Sequence, residues 1–167
     1  MEFAQKTLCI NKTKIKFQLW NSNSQTRFTH MSDIIYKYSH GAILIYDIFN
    51  RKSFEYIKKK SAELKNLFEN MEICLIGNKL DLIENDEFDR FREVVEREVD
   101  ETELQLFGIE NNVCFNEVSA KTGYGIDKII EEFLERIIEK NNFIFQSNSE
   151  NKVIMNNTSN NYNHSCF

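Results

Sequence analysis

Residues 73–81 read Ile73-Cys74-Leu75-Ile76-Gly77-Asn78-Lys79-Leu80-Asp81. Four uninterrupted apolar residues ending at a glycine have the pattern of a short strand buried on both faces, with a polar loop at its carboxyl end. The same pattern recurs on either side. Ala42–Ile48 (AILIYDI) is apolar until Asp47, and Val113–Val118 is a third buried-strand candidate, followed by Ser119-Ala120-Lys121-Thr122-Gly123. Between the first two runs, Arg51–Glu69 has helical spacing through Phe54, Ile57, Leu64, Leu67 and Phe68. Ile126–Lys140 places Ile126, Ile129, Ile130, Phe133, Leu134, Ile137 and Ile138 along one helical stripe. The acidic stretch Glu84–Phe107 is expected to hold a further helix. Strands alternating with helices imply parallel βαβ units and a layered α/β fold.

Upstream, Lys6–Ile10 and Lys14–Trp20 are β-rich runs joined by Asn11-Lys12-Thr13, the pattern of a hairpin. The second run alternates Ile15, Phe17 and Leu19 with Lys14, Lys16 and Gln18, so one buried and one wet face are expected. Asn21–Gln25 is loop-like, and a short helix is expected near Ser32–Tyr38. After about Asn142 the chain becomes asparagine- and serine-rich without periodicity, which predicts a domain over 1–142 and a disordered tail over 143–167.

The 167 residues include 41% hydrophobic ones, enough for one core, and a net charge of −5 with no basic block. That balance weighs against nucleic-acid binding and against electrostatic docking on an anionic membrane. Cys9, Cys74, Cys114 and Cys166 show no CxxC spacing; the first three sit in apolar runs and are expected to be buried thiols of a reducing compartment. No run approaches the ~20 apolar residues of a membrane span and no signal peptide is visible, so a cytoplasmic location is expected.

In a sheet of this kind, ligands bind beyond the carboxyl ends of the strands. The two loops there read NKxD (Asn78, Lys79, Asp81) and SAK (Ser119, Ala120, Lys121), and resemble the guanine-recognition loops of Ras-like GTPases. The resemblance implies that the Asp81 carboxylate accepts from the N1–H and exocyclic amine of guanine, a pattern adenine cannot supply. Asn78 would bond the base edge or bridge loops, the Ala120 N–H would donate to the base carbonyl, and the stems of Lys79 and Lys121 would cover the two ring faces.

The likeness runs from residue 2 to about 140 and is closest to the Rab branch. Glu2-Phe3-Ala4 resembles the end of switch I (IGVEFA), and Lys16–Trp20 the strand before WDTAGQERF. Gln25, Arg27 and Phe28 match the end of that motif, His40–Ile48 the strand after switch II, and Ser53-Phe54 the start of the next helix. The expected fold is therefore the Ras-like P-loop GTPase fold with a mostly parallel sheet. The expected role is a GTP-binding switch of vesicle and membrane traffic, with GTP or GDP and Mg²⁺ as ligands and Rab effectors, exchange factors and activating proteins as partners.

Three departures accompany the match. No GxxxxGK[ST] occurs in the chain, which begins at the end of switch I with Met1 where the family has valine; the first strand, phosphate loop, first helix and magnesium-binding threonine are expected to be lacking. The family's DTAG reads Asn21-Ser22-Asn23-Ser24, so a metal-supporting carboxylate and a phosphate-facing glycine are replaced, while Gln25 stands where the water-orienting glutamine belongs. Of the aromatic effector triad, Phe3 and Trp20 match and Ile35 stands in place of tyrosine. Losing about four phosphate contacts at roughly 1.5–3 kcal/mol each weakens binding by at least ~10⁴-fold. The family's first strand lies between Lys14–Trp20 and Ala42–Ile48; about four fewer buried side chains cost roughly 6–12 kcal/mol against a typical stability of ~5–15 kcal/mol.

The chain ends Asn163-His164-Ser165-Cys166-Phe167. Cys166 is a candidate for prenylation, penultimate and unpaired, without the double cysteine usual in Rabs or a CaaX box. Membrane attachment, on the cytosolic face of endomembranes, would depend on its lipidation. A nucleotide-free Rab-like interaction module and a non-functional truncated product are the alternatives that the NSNS sequence favours.

Overall fold

Glu72–Gly77 are six successive buried residues, as a strand covered on both faces requires. They belong to β4 (Glu72–Asn78), the middle of a three-stranded parallel sheet between β3 (Gly41–Asp47) and β5 (Cys114–Glu117). The computed structural model describes residues 2–10, 13–21, 29–84, 96–140, 144–147 and 153–156. The other elements are β1 (Glu2–Ile10), β2 (Thr13–Asn21), α1 (Thr29–Tyr38), α2 (Arg51–Leu67), α3 (Asp81–Glu84), α4 (Glu101–Glu110), α5 (Ile126–Lys140), β6 (Ile144–Ser147) and β7 (Val153–Asn156). The expected order of strands and helices is met element by element through α5. The helix expected in the acidic stretch is α4, which runs on to Glu110, and the short α3 precedes that stretch; 85–95 lie outside the described residues.

Register follows from apolar matching. In β3 and β4, Ala42 opposes Ile73, Leu44 opposes Leu75 and Tyr46 opposes Gly77; in β4 and β5, Cys74 opposes Cys114. Period two then sends residues to opposite faces. One face builds a core of Tyr46, Ile48, Phe54, Ile57, Leu64, Leu75, Val99 and Leu104, joined by α2 and α4. The other builds a core of Cys74, Ile76, Cys114, Ile129, Phe133 and Ile137 beneath the apolar stripe of α5. Asn50 caps α2 by accepting from the Ser53 N–H at 3.1 Å, and Asp100 caps α4 by accepting from the Thr102 N–H at 2.8 Å. Gly108 has no room for a side chain, since a Cβ there would lie 2.0 Å from the Phe115 ring.

β1 and β2 form a separate antiparallel hairpin, Leu8 opposite Ile15 and Phe3 opposite Trp20. Ile10 and Ile15 join the α5-side core, while Leu19 is exposed although the alternation predicts it buried. Burial fades along β2 because the packed part of the hairpin is its turn end. Cys9 also corrects an expectation. Cys74 and Cys114 are buried, but Cys9 is exposed because Leu8 and Ile10, its neighbours of opposite parity, take the inward positions.

Among the described residues no ladder joins β2 to β3. Within the stretch expected to be an aperiodic tail, β6 and β7 pair antiparallel, Phe145 opposite Met155 and Gln146 opposite Ile154. No helix among the described residues is long and apolar enough to cross a membrane.

Candidate functional site

β4 and β5 are parallel neighbours, so the loops that follow them emerge side by side at the carboxyl end of the sheet. Gly77 carries its C=O to the Val118 N–H at 2.8 Å, and Val118 returns its own C=O to the Leu80 N–H at 3.1 Å. These two bonds lock NKxD against SAK. Asp81, whose side chain is nearly buried at 5% exposure, opens α3; its Oδ1 accepts from Ser119 Oγ at 2.7 Å. Lys121 brings Nζ to 3.7 Å from Asp81 Oδ2. Asn78 Oδ1 accepts from the Ala120 N–H at 2.9 Å. Thus five of the six residues taken from the two motifs meet in one network.

Lys79, the sixth, has φ of 79°, a left-handed backbone that costs a non-glycine residue strain and recurs at functional sites. Its ammonium pairs with Asp47 Oδ2 at 2.5 Å. Asp47 Oδ1 meanwhile accepts from the Phe49 N–H at 3.0 Å, so the carboxylate is oriented at both oxygens. Asp47 and Asn78 are register partners, which explains the pairing. Sequence reading did not single out Asp47; its one visible signal was the charge that ends the apolar run AILIYD.

The Ser119 hydroxyl holds the Asp81 carboxyl below its ordinary value, with Lys121 adding to the effect and burial opposing it. Asp81 is therefore an anion at neutral pH. One row deeper, Glu117 is buried and its carboxyl is pushed up by desolvation, while the Arg97 guanidinium, donating Nη2–H to Oε1, pulls it down. The buried hydroxyl of Tyr46, in the same row across the sheet, is pushed well up by burial and by the Glu117 charge.

These are the groups that the resemblance expects to meet a guanine edge. A carboxylate has about four acceptor positions, so the Ser119 bond leaves room for more donors. The Ala120 N–H, expected to meet the base carbonyl, is engaged by Asn78 here, and Lys121 sits over the second Asp81 oxygen. A base would displace partners the loops already supply to each other.

The remaining sequence-derived residues fall elsewhere. Phe3 and Trp20 are in tilted ring contact, with centroids 4.6 Å apart, and are 49% and 44% exposed. Ile35 lies on α1, half-buried, with its C=O accepting from Ser39 Oγ at 2.7 Å, and takes no part in that ring contact. Gln25 and Cys166 lie outside the described residues.

The model of the Ras family matches residues 1–139. This chain belongs to the Ras family. Its Ras-like α/β fold is the layered arrangement described above, and among relatives it is similar to proteins of the Rab type. It is 32% identical over 136 residues to Ras-related protein Rab-5A of Dictyostelium discoideum, covering 81% of this chain and 62% of that one. It is 32% identical to Ras-related protein RABF2a of Arabidopsis thaliana and 33% to Ras-related protein RHN1 of Nicotiana plumbaginifolia, with the same coverage. This Ras-family chain thus spans about three-fifths of the length of these relatives.

Proposed function

We propose that this Rab-like chain recognises guanine through Asp81, Asn78 and Ala120, flanked by Lys79 and Lys121, and that its role is that of a GTP-binding protein of membrane traffic. The observation that carries the reading is the meeting of the two loops through Asp81–Ser119 and Asn78–Ala120 at the carboxyl end of the sheet. Guanine, once bound, supplies two N–H donors and a carbonyl acceptor. Asp81, ionised and oriented by Ser119, accepts; Ala120 donates after release by Asn78. Nothing in the 167 residues has the form of a phosphate loop, and Asn21 stands where the family has a metal-supporting carboxylate. The reading therefore rests on base recognition by the two loops, and Gln25 has no assigned step. Effectors, exchange factors and activating proteins are the partner classes, on the cytosolic face of endomembranes if Cys166 carries a lipid.

Calorimetry and thermal shift with GDP, ADP and xanthosine diphosphate test the base site. GDP should raise the melting temperature and ADP should not. Asp81→Asn should abolish the rise with GDP and transfer it to the xanthine nucleotide. A folded protein indifferent to GDP would refute the assignment.

A second reading is a nucleotide-free interaction module. It is favoured by the exposed Phe3–Trp20 pair and by the internal partners already held by Asp81 and the Ala120 N–H.

A further inference from the structure

Lys79 is held in its left-handed backbone, φ 79°, from both sides. The Asn78 C=O ahead of it accepts from the Ile48 N–H at 3.3 Å, and the Leu80 N–H behind it donates to the Val118 C=O at 3.1 Å. Its own C=O accepts from the Leu82 N–H at 3.0 Å, in the turn that opens α3. A strained residue persists where its surroundings over-determine it, as these three bonds do. They also fix the direction in which the Lys79 side chain leaves the loop.

That side chain crosses from the end of β4 to the end of β3. Asp47, the last residue of β3, receives the ammonium at Oδ2, 2.5 Å away. The receiving carboxylate is immobilised in turn. Its Oδ1 accepts from the Phe49 N–H at 3.0 Å, while the Asp47 N–H donates to Ser53 Oγ at 3.1 Å and the Asp47 C=O accepts from the Asn50 N–H at 2.9 Å. Both ends of the Lys79 stem are therefore tied, one to strained backbone and the other to an oriented carboxylate, although half of the side chain is exposed. The loop lysines are also shared out between two acids. Lys121 lies 3.7 Å from Asp81 Oδ2, and Lys79 goes to Asp47 rather than adding a second ammonium there.

We propose that Asp47 is a positioning residue of the base site: by anchoring the Lys79 ammonium, it holds the methylene stem as a fixed apolar wall along one face of a planar base seated between the two loops. The inference rests on the reading of those loops as a guanine site, and adds to it a residue outside both motifs that need not touch the base. Ligands of such sheets bind beyond the carboxyl ends of the strands, which is where this stem runs. A stem fixed before the base arrives loses little rotamer freedom on binding, whereas a free lysine has to be ordered at that moment. Asp47 thus acts on affinity through preorganisation.

Calorimetric titration of the full 167-residue chain with GDP tests it, using Asp47→Asn, Lys79→Met and the double variant. Asparagine keeps an oxygen for the Phe49 N–H, and methionine keeps an apolar stem; each removes one charge of the pair. Each single variant should weaken GDP binding about three- to fivefold, the range of a partly exposed ion pair. The double variant should bind like either single one, because the two residues act as a unit. Additive losses, or an unchanged affinity in Asp47→Asn, would overturn the proposal and leave the guanine reading standing. A folded wild type that does not bind GDP would defeat the guanine reading, and this inference with it. Should Asp47→Asn fail to fold, Lys79→Met leaves β3 untouched and decides alone, an unchanged GDP affinity overturning the proposal. Carbon relaxation at Lys79 Cε, measured without nucleotide, gives a second readout. A restricted stem in the wild type and a freely rotating one in Asp47→Asn are expected, and equal mobility in the two would overturn the proposal.

Discussion

Ser119 Oγ donates to Asp81 Oδ1 across 2.7 Å, joining two loops that lie 38 residues apart in the chain. The bond orients the carboxylate and keeps it ionised, so the residue that would read the base is set by a residue that need not touch it.

Ser119→Ala should raise the Asp81 carboxyl toward its ordinary value of 3.8, as read by carbon NMR titration. The sign of the pH effect follows from the depressed folded value: the stabilisation is present above 3.8 and is lost as the pH falls through the lower folded value. Wild type and variant should therefore show the largest difference in melting temperature at neutral pH and converge in acid.

Asn78→Ala leaves the Ala120 N–H without its acceptor and should cost about 0.5–1.5 kcal/mol in urea unfolding. Asn78→Asp retains an oxygen in the same place and should recover most of that loss. Faster exchange of the Ala120 amide in the alanine variant alone would identify the bond responsible.

Gly108→Ala would force a methyl against the Phe115 ring, at 2.0 Å from the nearest carbon. Overpacking of this kind costs about 1–3 kcal/mol. A calorimetric melting temperature equal to that of the wild type would show that Phe115 can move aside.

Arg97→Met removes the cation that faces Glu117 and leaves a buried carboxylate unpaired, a loss of about 3–5 kcal/mol. Glu117 already has a raised folded value, and losing Arg97 raises it further. An acid of this kind favours the folded state below its ordinary pKa, and that advantage is lost as the pH rises through the folded value. The deficit in urea midpoint should thus be smaller near about pH 5 than near about pH 8.

Local pattern was enough for the elements that bury themselves. Ile73–Ile76 has to be a central strand because nothing in it tolerates water, and the stripe from Ile126 to Ile138 has only one helical face to hide. The two loops were legible too, because NKxD and SAK each follow such a strand. Leu19 and Cys9 were not legible: alternation tells which residues share a face, but not where along the hairpin the packing stops.

By itself, then, the sequence determined the α/β order, the buried strands and the composition of the NKxD and SAK loops, since each depends on neighbours a few residues away. Tertiary structure alone decided that Asp47 takes Lys79, that Asn78 takes the Ala120 N–H, and that Gly41 of β3 lies against Phe133 and Ile137 of α5. Those relations join residues 32 to 96 positions apart, and they follow from which strands lie side by side, a global property of chain packing that no local periodicity encodes.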